Sequence, residues 1–382
     1  MADGIFAIEL FLDHVQPRKG YRYGTSRHHT FRFMKKKATL NDIAKILGLT
    51  KVSVSKALRN HPDISEATKK KVKKVAEQIG YRPNLIARSL TSSRSRTLGV
   101  VVPKIAHNFF AHVVAGIQKS AASHEYEIVL TVSDENEELE RKHIEALMSM
   151  QVDGLLVSVS MDTRNLEVYE WLRDMQIPLV FFDRHIPDLG FNSVIIDDMN
   201  AARLGVSKLI EYGCRKIAHL SGYDHISIGR NRRMGYEKAL VDHGLTVNPE
   251  FITQGGFGEE AGYKGFKELY ERGGDIDGLF SVTFPVALGA YIAMRELDPT
   301  IIDRLKMLAF GDSGIRNIVP FPQYYIHQPA ETMGERAADM LIREIAGEVQ
   351  AENRLDIMET EFLVSGNDFP LEWKTRQGIE TG

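Results

Sequence analysis

Lys51, Ser53, Ser55 and Lys56 stand within "TKVSVSKAL", short or basic side chains able to reach phosphate oxygens and base edges. A different chemistry is on offer further along the chain. Phe109 and Phe110 follow the β-branched run "LGVVVP", and their rings can stack on a sugar or a base, or pack into a core. Asp183 and Arg184 close "IPLVFFDR", offering a carboxylate and a fork of N–H donors to ligand hydroxyls, or pairing with each other. Both sets are binding groups, one suited to a polyanion and one to a small polar molecule.

The first set must ride on a helix. Thr39 and Asp42 have the spacing of a capping box, and Ile43, Ala44, Ile46 and Leu47 follow at helical intervals. Gly48 supplies the turn and Thr50 the next cap, with Val52, Val54, Ala57 and Leu58 continuing a second, shorter helix. Two helices crossing closely need a small residue, a turn glycine and a branched apolar residue, which Ala44, Gly48 and Val54 provide. A third helix, capped by Ser65 or Thr68 and closed by Gly80, directs Val72, Val75, Ala76 and Ile79 inward and five lysines outward. Beyond Pro83, Asn84 can cap a segment reaching Leu90 that is too short to be stable alone, and the polar linker "TSSRSRT" follows it.

Charge divides the chain in the same place. Residues 34–98 hold 16 Lys/Arg against 4 Asp/Glu, whereas residues 99–382 hold 27 against 44, so the net charge of −3 conceals a basic head on an acidic body. A concentrated positive field favours nucleic acid, whose binding releases condensed counterions.

The body alternates strands and helices. Nine β-branched runs, "TLGVVVP", "YEIVLTVS", "VDGLLVSVS", "IPLVFFD", "SVIIDD", "KIAHLSG", "DGLFSVT", "LKMLAF" and "YYIHQP", exceed one comfortable sheet. They predict two parallel α/β subdomains with a cleft between them at the strand carboxyl ends. At 382 residues the chain has room for these domains, and its lack of a long apolar run argues for a cytoplasmic protein. A single cysteine, Cys214, excludes a disulfide framework or a multi-cysteine metal site and is expected to be a buried thiol.

Catalysis finds no support. "GDSG" at 311–314 has the form of a serine-protease nucleophile turn, but that turn belongs to an all-β fold. "GGFGEEAG" lacks the spacing of a dinucleotide loop and reads as the turn into "EEAGYKGFKELY". The histidines are scattered without metal-ligand spacing, and no cofactor or metal is expected.

Residues 38 to about 366 resemble the lactose-repressor and purine-repressor (LacI) family of bacterial transcription regulators. The resemblance rests on "ATLNDIAKILGLTKVSVSKALRN", "HPDIS", "GYRPNLIARSL", "LGVVVPKIAHNFFAHVVAGI", "VDGLLVS", "IPLVFFDR" and "RRMGYEKAL". It implies a small all-α helix-turn-helix head on an α/β core of two doubly wound, periplasmic-binding-protein-like subdomains. By position it puts Lys51, Val52, Ser53, Ser55 and Lys56 in the major groove of a pseudo-palindromic operator. A hinge helix, with Asn84 at its start and Ala87 beside a wedging Leu90, falls to the minor groove. It further implies a homodimer and an effector held by Phe109, Phe110, Asp183, Arg184, Arg232, Thr283 and Gln328.

The implied divisions are a head at 34–82, a hinge and linker at 83–96 and a core at 97–366. Within the core, one subdomain takes about 97–195 and 328–356, the other about 196–327 and 357–366. Two departures touch the effector site: Phe284 stands where the family usually has an acid, and "AFGD" places Gly311 and Asp312 differently from the usual pattern. A sugar or sugar derivative is the expected effector, with a nucleobase or other metabolite as the alternative. A receptor without a DNA role would lack the basic head and carry a secretory signal.

Residues 1–33 match nothing in the family, and translation is expected to start at Met34. The tail, 367–382, lacks an apolar heptad, which points to a dimer rather than a tetramer.

Overall fold

The computed structural model describes residues 38–81, 94–106, 108–273, 275–311, 321–348 and 354–365. The expectations about residues 1–33, the hinge residues Asn84, Ala87 and Leu90, Asp312 and the tail lie outside these. The chain forms two compact units that divide between Asn84 and Leu85.

The head is three helices, α1 (Leu40–Leu47), α2 (Lys51–Leu58) and α3 (Glu66–Gln78). The capping box of α1 is complete: the Thr39 hydroxyl accepts from Asp42 N, and the Asp42 carboxylate accepts from Thr39 N at 2.8 Å. Gly48 ends the helix at φ +64°, a left-handed conformation that costs glycine nothing. Ile43, Ala44, Val54, Ala57, Val72 and Ala76 form the head's core.

Three details depart from the helical pattern. Ile46 and Val52 are exposed, since an eight-residue helix has only a narrow strip of contact with its neighbours. Ser65, not Thr68, caps α3. Of the five lysines on α3, Lys69 is buried rather than outward, its ammonium 2.8 Å from the Glu66 carboxylate while its stem covers apolar surface.

The core begins with β1 (Thr97–Val102), α4 (Asn108–Ser123), β2 (Glu127–Val132), α5 (Glu137–Ser149), β3 (Gly154–Val157), α6 (Glu167–Asp174), β4 (Leu179–Phe182) and β5 (Asn192–Ile196). It continues with α7 (Asp198–Glu211), β6 (Ile217–Ser221), α8 (Ser227–Asp242), β7 (Ile252–Gln254), α9 (Glu259–Glu271) and β8 (Gly278–Ser281). Then come α10 (Phe284–Leu297), α11 (Ile301–Arg304), β9 (Lys306–Phe310), β10 (Tyr324–His327), α12 (Ala330–Ala346), β11 (Leu355–Met358) and β12 (Glu361–Val364).

Twelve strands make two six-stranded sheets, ordered β11-β5-β4-β3-β1-β2 and β12-β10-β9-β8-β6-β7. Every pairing is parallel except β10 with β12. The nine runs legible in the sequence are β1–β6 and β8–β10. The chain passes from the first sheet to the second after β5, returns after β10 and crosses again between β11 and β12.

Helices cover both faces of each sheet, which is why the interior strands are buried almost throughout while β2, β7, β11 and β12, at the edges, are not. On the first sheet, α4 and α12 meet backbone to backbone: a Cβ on Gly116 would fall 2.0 Å from the Glu331 carbonyl oxygen, and one on Gly334 2.0 Å from that of Val113. Cys214 is buried, as anticipated, and burial pushes its thiol up to about 11.

Candidate functional site: an aromatic cleft and a recognition helix

The strand carboxyl ends of both sheets open onto one cavity of about 210 Å³. All seven residues singled out for a ligand line it: Phe109, Phe110, Asp183, Arg184, Arg232, Thr283 and Gln328. They come from different elements. The two phenylalanines begin α4 just after β1, Asp183 and Arg184 follow β4, Arg232 lies on α8, Thr283 caps α10 after β8, and Gln328 follows β10.

Phe110 is 3% exposed and belongs to the apolar core, with Phe109 edge-on to it at 5.2 Å, so Phe110 is both packing and cavity wall. The sequence left open whether Asp183 and Arg184 pair. They approach only to 4.0 Å, and the arginine's main partner is Glu135, which accepts from Nη1 at 2.7 Å and from Nη2 at 3.0 Å. Arg232 donates from Nε to Asp198 at 2.7 Å and from Nη1 to the Val282 carbonyl at 2.6 Å, and its guanidinium lies 3.8 Å from the Phe310 ring centroid. Thr283 is committed differently: its hydroxyl donates to the Phe257 carbonyl at 2.8 Å and accepts from Val286 N to cap α10.

Those commitments leave specific atoms unpartnered. Arg184 Nε, Arg232 Nη2 and Gln328 Nε2 are buried and have no hydrogen-bond partner in the protein. Such atoms cost about 1–3 kcal/mol each until something accepts from them. Asp183 is 6% exposed and held at φ +59°, a left-handed conformation unusual for a residue with a side chain. Burial raises its carboxyl to about 6, against the pull of Arg184 and Arg232.

Sequence reasoning missed several lining residues. Phe257, Phe310 and Leu288 add apolar wall beside Phe284, already placed at the site by the sequence, while Asn108 and Glu259 add polar groups. Phe310 ends a strand already recognised, and Glu259 opens a helix already recognised, so position at a strand end or helix start was the available signal. The arginines' carboxylate partners, Glu135 and Asp198, also lie near a strand end or helix start, but nothing in sequence pairs them with the distant groups they hold.

On the head, Lys51 and Val52 are exposed, and Ser53, Ser55 and Lys56 are half-buried. The Ser53 hydroxyl lies 2.9 Å from that of Thr50, and Lys56 donates to Asp63 at 2.9 Å. The lysine holds the Asp63 carboxyl below its ordinary range. Together α1 and α2 make a capped helix-turn-helix whose second helix carries a basic and an apolar residue on its outer side.

A small basic helix-turn-helix unit joined to a two-sheet α/β core with a ligand-sized cleft defines a DNA-binding regulator of the ligand-responsive class. Residues 39–84 match the bacterial regulatory proteins of the lacI family, and residues 95–363 match the periplasmic binding proteins and sugar-binding domain of the LacI family. The chain belongs to the LacI family of transcription regulators.

Its relatives include the HTH-type transcriptional repressor CytR of Escherichia coli K12, 29% identical over 331 residues that cover 86% of this chain and 96% of that one. The ribose operon repressor of Haemophilus influenzae is 27% identical over 308 residues, covering 81% and 92%. Among solved structures, the complex of the transcriptional regulator CelR with cellobiose superposes with a TM-score of 0.65 at 25% identity, covering 87% of this chain and all of that one. The lac repressor dimer bound to operator and the anti-inducer ONPF gives 0.76 at 21% identity, covering 87% and 99%, and attests the fold. Among the described residues, no helix is long and apolar enough to cross a membrane and no cluster of His, Cys, Asp or Glu could hold a metal.

Proposed function

We propose that this regulator is a homodimeric repressor whose operator affinity is set by a sugar or sugar derivative bound in the cleft, and that it catalyses no reaction. One observation carries the choice of ligand: Arg184, Arg232 and Gln328, each with a buried, unpartnered donor (Nε, Nη2 and Nε2), line with Asp183 a cavity whose apolar wall includes five phenylalanines. A sugar answers both features, its C–H faces resting on rings while its hydroxyls accept from the donors and donate to Asp183. The names of the relatives agree in kind, one being a ribose operon repressor and another solved with cellobiose.

On the DNA side, Lys51 and Lys56 reach phosphates, Ser53 and Ser55 the base edges or phosphates, and Val52 a thymine methyl. The hinge residues Asn84, Ala87 and Leu90 complete the interface in the minor groove. Ligand changes DNA affinity by binding the two core arrangements unequally, a coupling of about 1–3 kcal/mol in typical allosteric systems.

Calorimetry on the purified protein against monosaccharides, disaccharides and nucleobases tests the ligand. A sugar that binds wild type and fails to bind Arg232→Ala supports the reading. Tight nucleobase binding with no response to any sugar overturns it.

A further inference from the structure

Three carboxylates at the start of α5 grip the loop that follows β3. Glu140 accepts from Ser160 N at 2.5 Å and from the Thr163 hydroxyl at 2.8 Å. Glu135 accepts from Met161 N at 2.8 Å, and Glu137 from Arg164 N at 2.7 Å and from Asn165 N. A short loop held by its own N–H groups in this way has little freedom left. It lies across the cleft: His225 Nε2, on the second subdomain, is 2.6 Å from the Met161 carbonyl oxygen and donates to it. The Met161 side chain packs on the second sheet's apolar cluster, with Sδ 3.3 Å from where a Cβ on Gly256 would stand.

Glu135 has a second commitment. It is 6% exposed, sits at φ +61° and makes the bidentate pair with Arg184. The Arg184 guanidinium in turn lies 4.5 Å from the ring centroid of Phe257, also on the second subdomain. One buried carboxylate thus fixes two contacts between the subdomains, and one of them is made by Arg184, which lines the cavity.

We propose that Glu135 is a positioning residue for closure of the cleft, holding Met161 against His225 and Arg184 against Phe257, so that a ligand touching Arg184 and the strap at 160–165 act on one equilibrium. The link to ligand rests on the effector reading above; the closure does not.

The experiment measures distance between spin labels placed through Glu170→Cys on α6 and Glu268→Cys on α9 in the full chain, both sites exposed, with Cys214 buried and left unlabelled. Without ligand, wild type should give one dominant short distance. Glu135→Gln should raise the ratio of long to short distances about tenfold or more, as expected for loss of charge-assisted hydrogen bonds. Met161→Gly should act in the same direction, and the double variant should open the cleft by less than the two effects summed, because they share a contact.

If Glu135→Gln fails to fold, Met161→Pro removes the N–H while sparing the ion pair, and it should open the cleft more than Met161→Gly does. A merely structural Glu135 would lower the melting temperature and leave the distances unchanged. Unchanged distances, or additive effects in the double variant, overturn the proposal. Titrating the labelled wild type with the sugar panel is the separate arm: silence there sinks the effector reading and leaves the distance result standing.

Discussion

Asp183→Asn should make the protein more stable while weakening its ligand site. In the fold the Asp183 carboxyl titrates at about 6, against an ordinary value of 3.8, because burial disfavours its charge. A shift of roughly two units corresponds to about 3 kcal/mol that the ionised group costs the folded state at neutral pH.

The sign follows from protons bound. Between pH 3.8 and 6 the folded chain holds the proton that the unfolded chain releases, so this group's contribution to stability falls as pH rises through that window. Asparagine removes the charge at nearly the same volume and tolerates the left-handed backbone at φ +59° better than most residues. The variant's advantage should therefore be about 3 kcal/mol at pH 7.5, about half that near pH 5, and negligible below pH 3.8. For a domain of this size, that is roughly 6–12 °C in melting temperature at neutral pH.

Paired thermal and urea melts of wild type and variant at pH 7.5 and 5 measure it. A destabilised variant at pH 7.5, or an advantage that does not change with pH, would refute the reasoning. Calorimetry on the same preparations should show weakened sugar binding, the mark of a group kept for function at the expense of stability.

Two further outcomes test other parts of the molecule. Lys51→Ala should weaken operator binding alike for all operator sequences and reduce the slope of log affinity against log salt by about one, measured by fluorescence anisotropy across a salt series. Gly334→Ala would place a methyl 2.0 Å from the Val113 carbonyl oxygen, so α4 and α12 must separate; a loss of at least 1–3 kcal/mol in urea unfolding is expected.

The head was legible because its signals are local. Caps such as Thr39, the turn glycine Gly48 and the apolar spacing that buries Ile43 and Val54 all lie within a few residues of one another. The core's interior strands were legible for a related reason: with both faces covered, they read as unbroken apolar runs. Of the four edge strands only β2 was legible; the other three were not. β7, β11 and β12 are three or four residues long and only partly buried, so "ITQ", "LDIM" and "EFLV" carry no such run.

At the site, residues next to strand ends could be picked out, but their partners could not. Glu135 lies 49 residues before Arg184, and Asp198 lies 34 before Arg232; nothing in spacing joins them. Only tertiary structure shows that Thr283's hydroxyl is already occupied and that Arg232 Nη2 is not.

The position of β11 and β12 has a consequence for how the chain is made. β11 forms one edge of the first sheet and β12 one edge of the second, and only two residues separate them. On a ribosome, the first subdomain's strands β1–β5 emerge early, yet that sheet waits for residues 355–358, and the second sheet for 361–364. Both sheets therefore wait for the last strands of the core, and neither half can be excised as a single continuous segment. A premature stop near residue 350 would strip an edge from both sheets at once, so truncated chains should reach the cell's proteases with two unfinished sheets, not one intact subdomain and one damaged one.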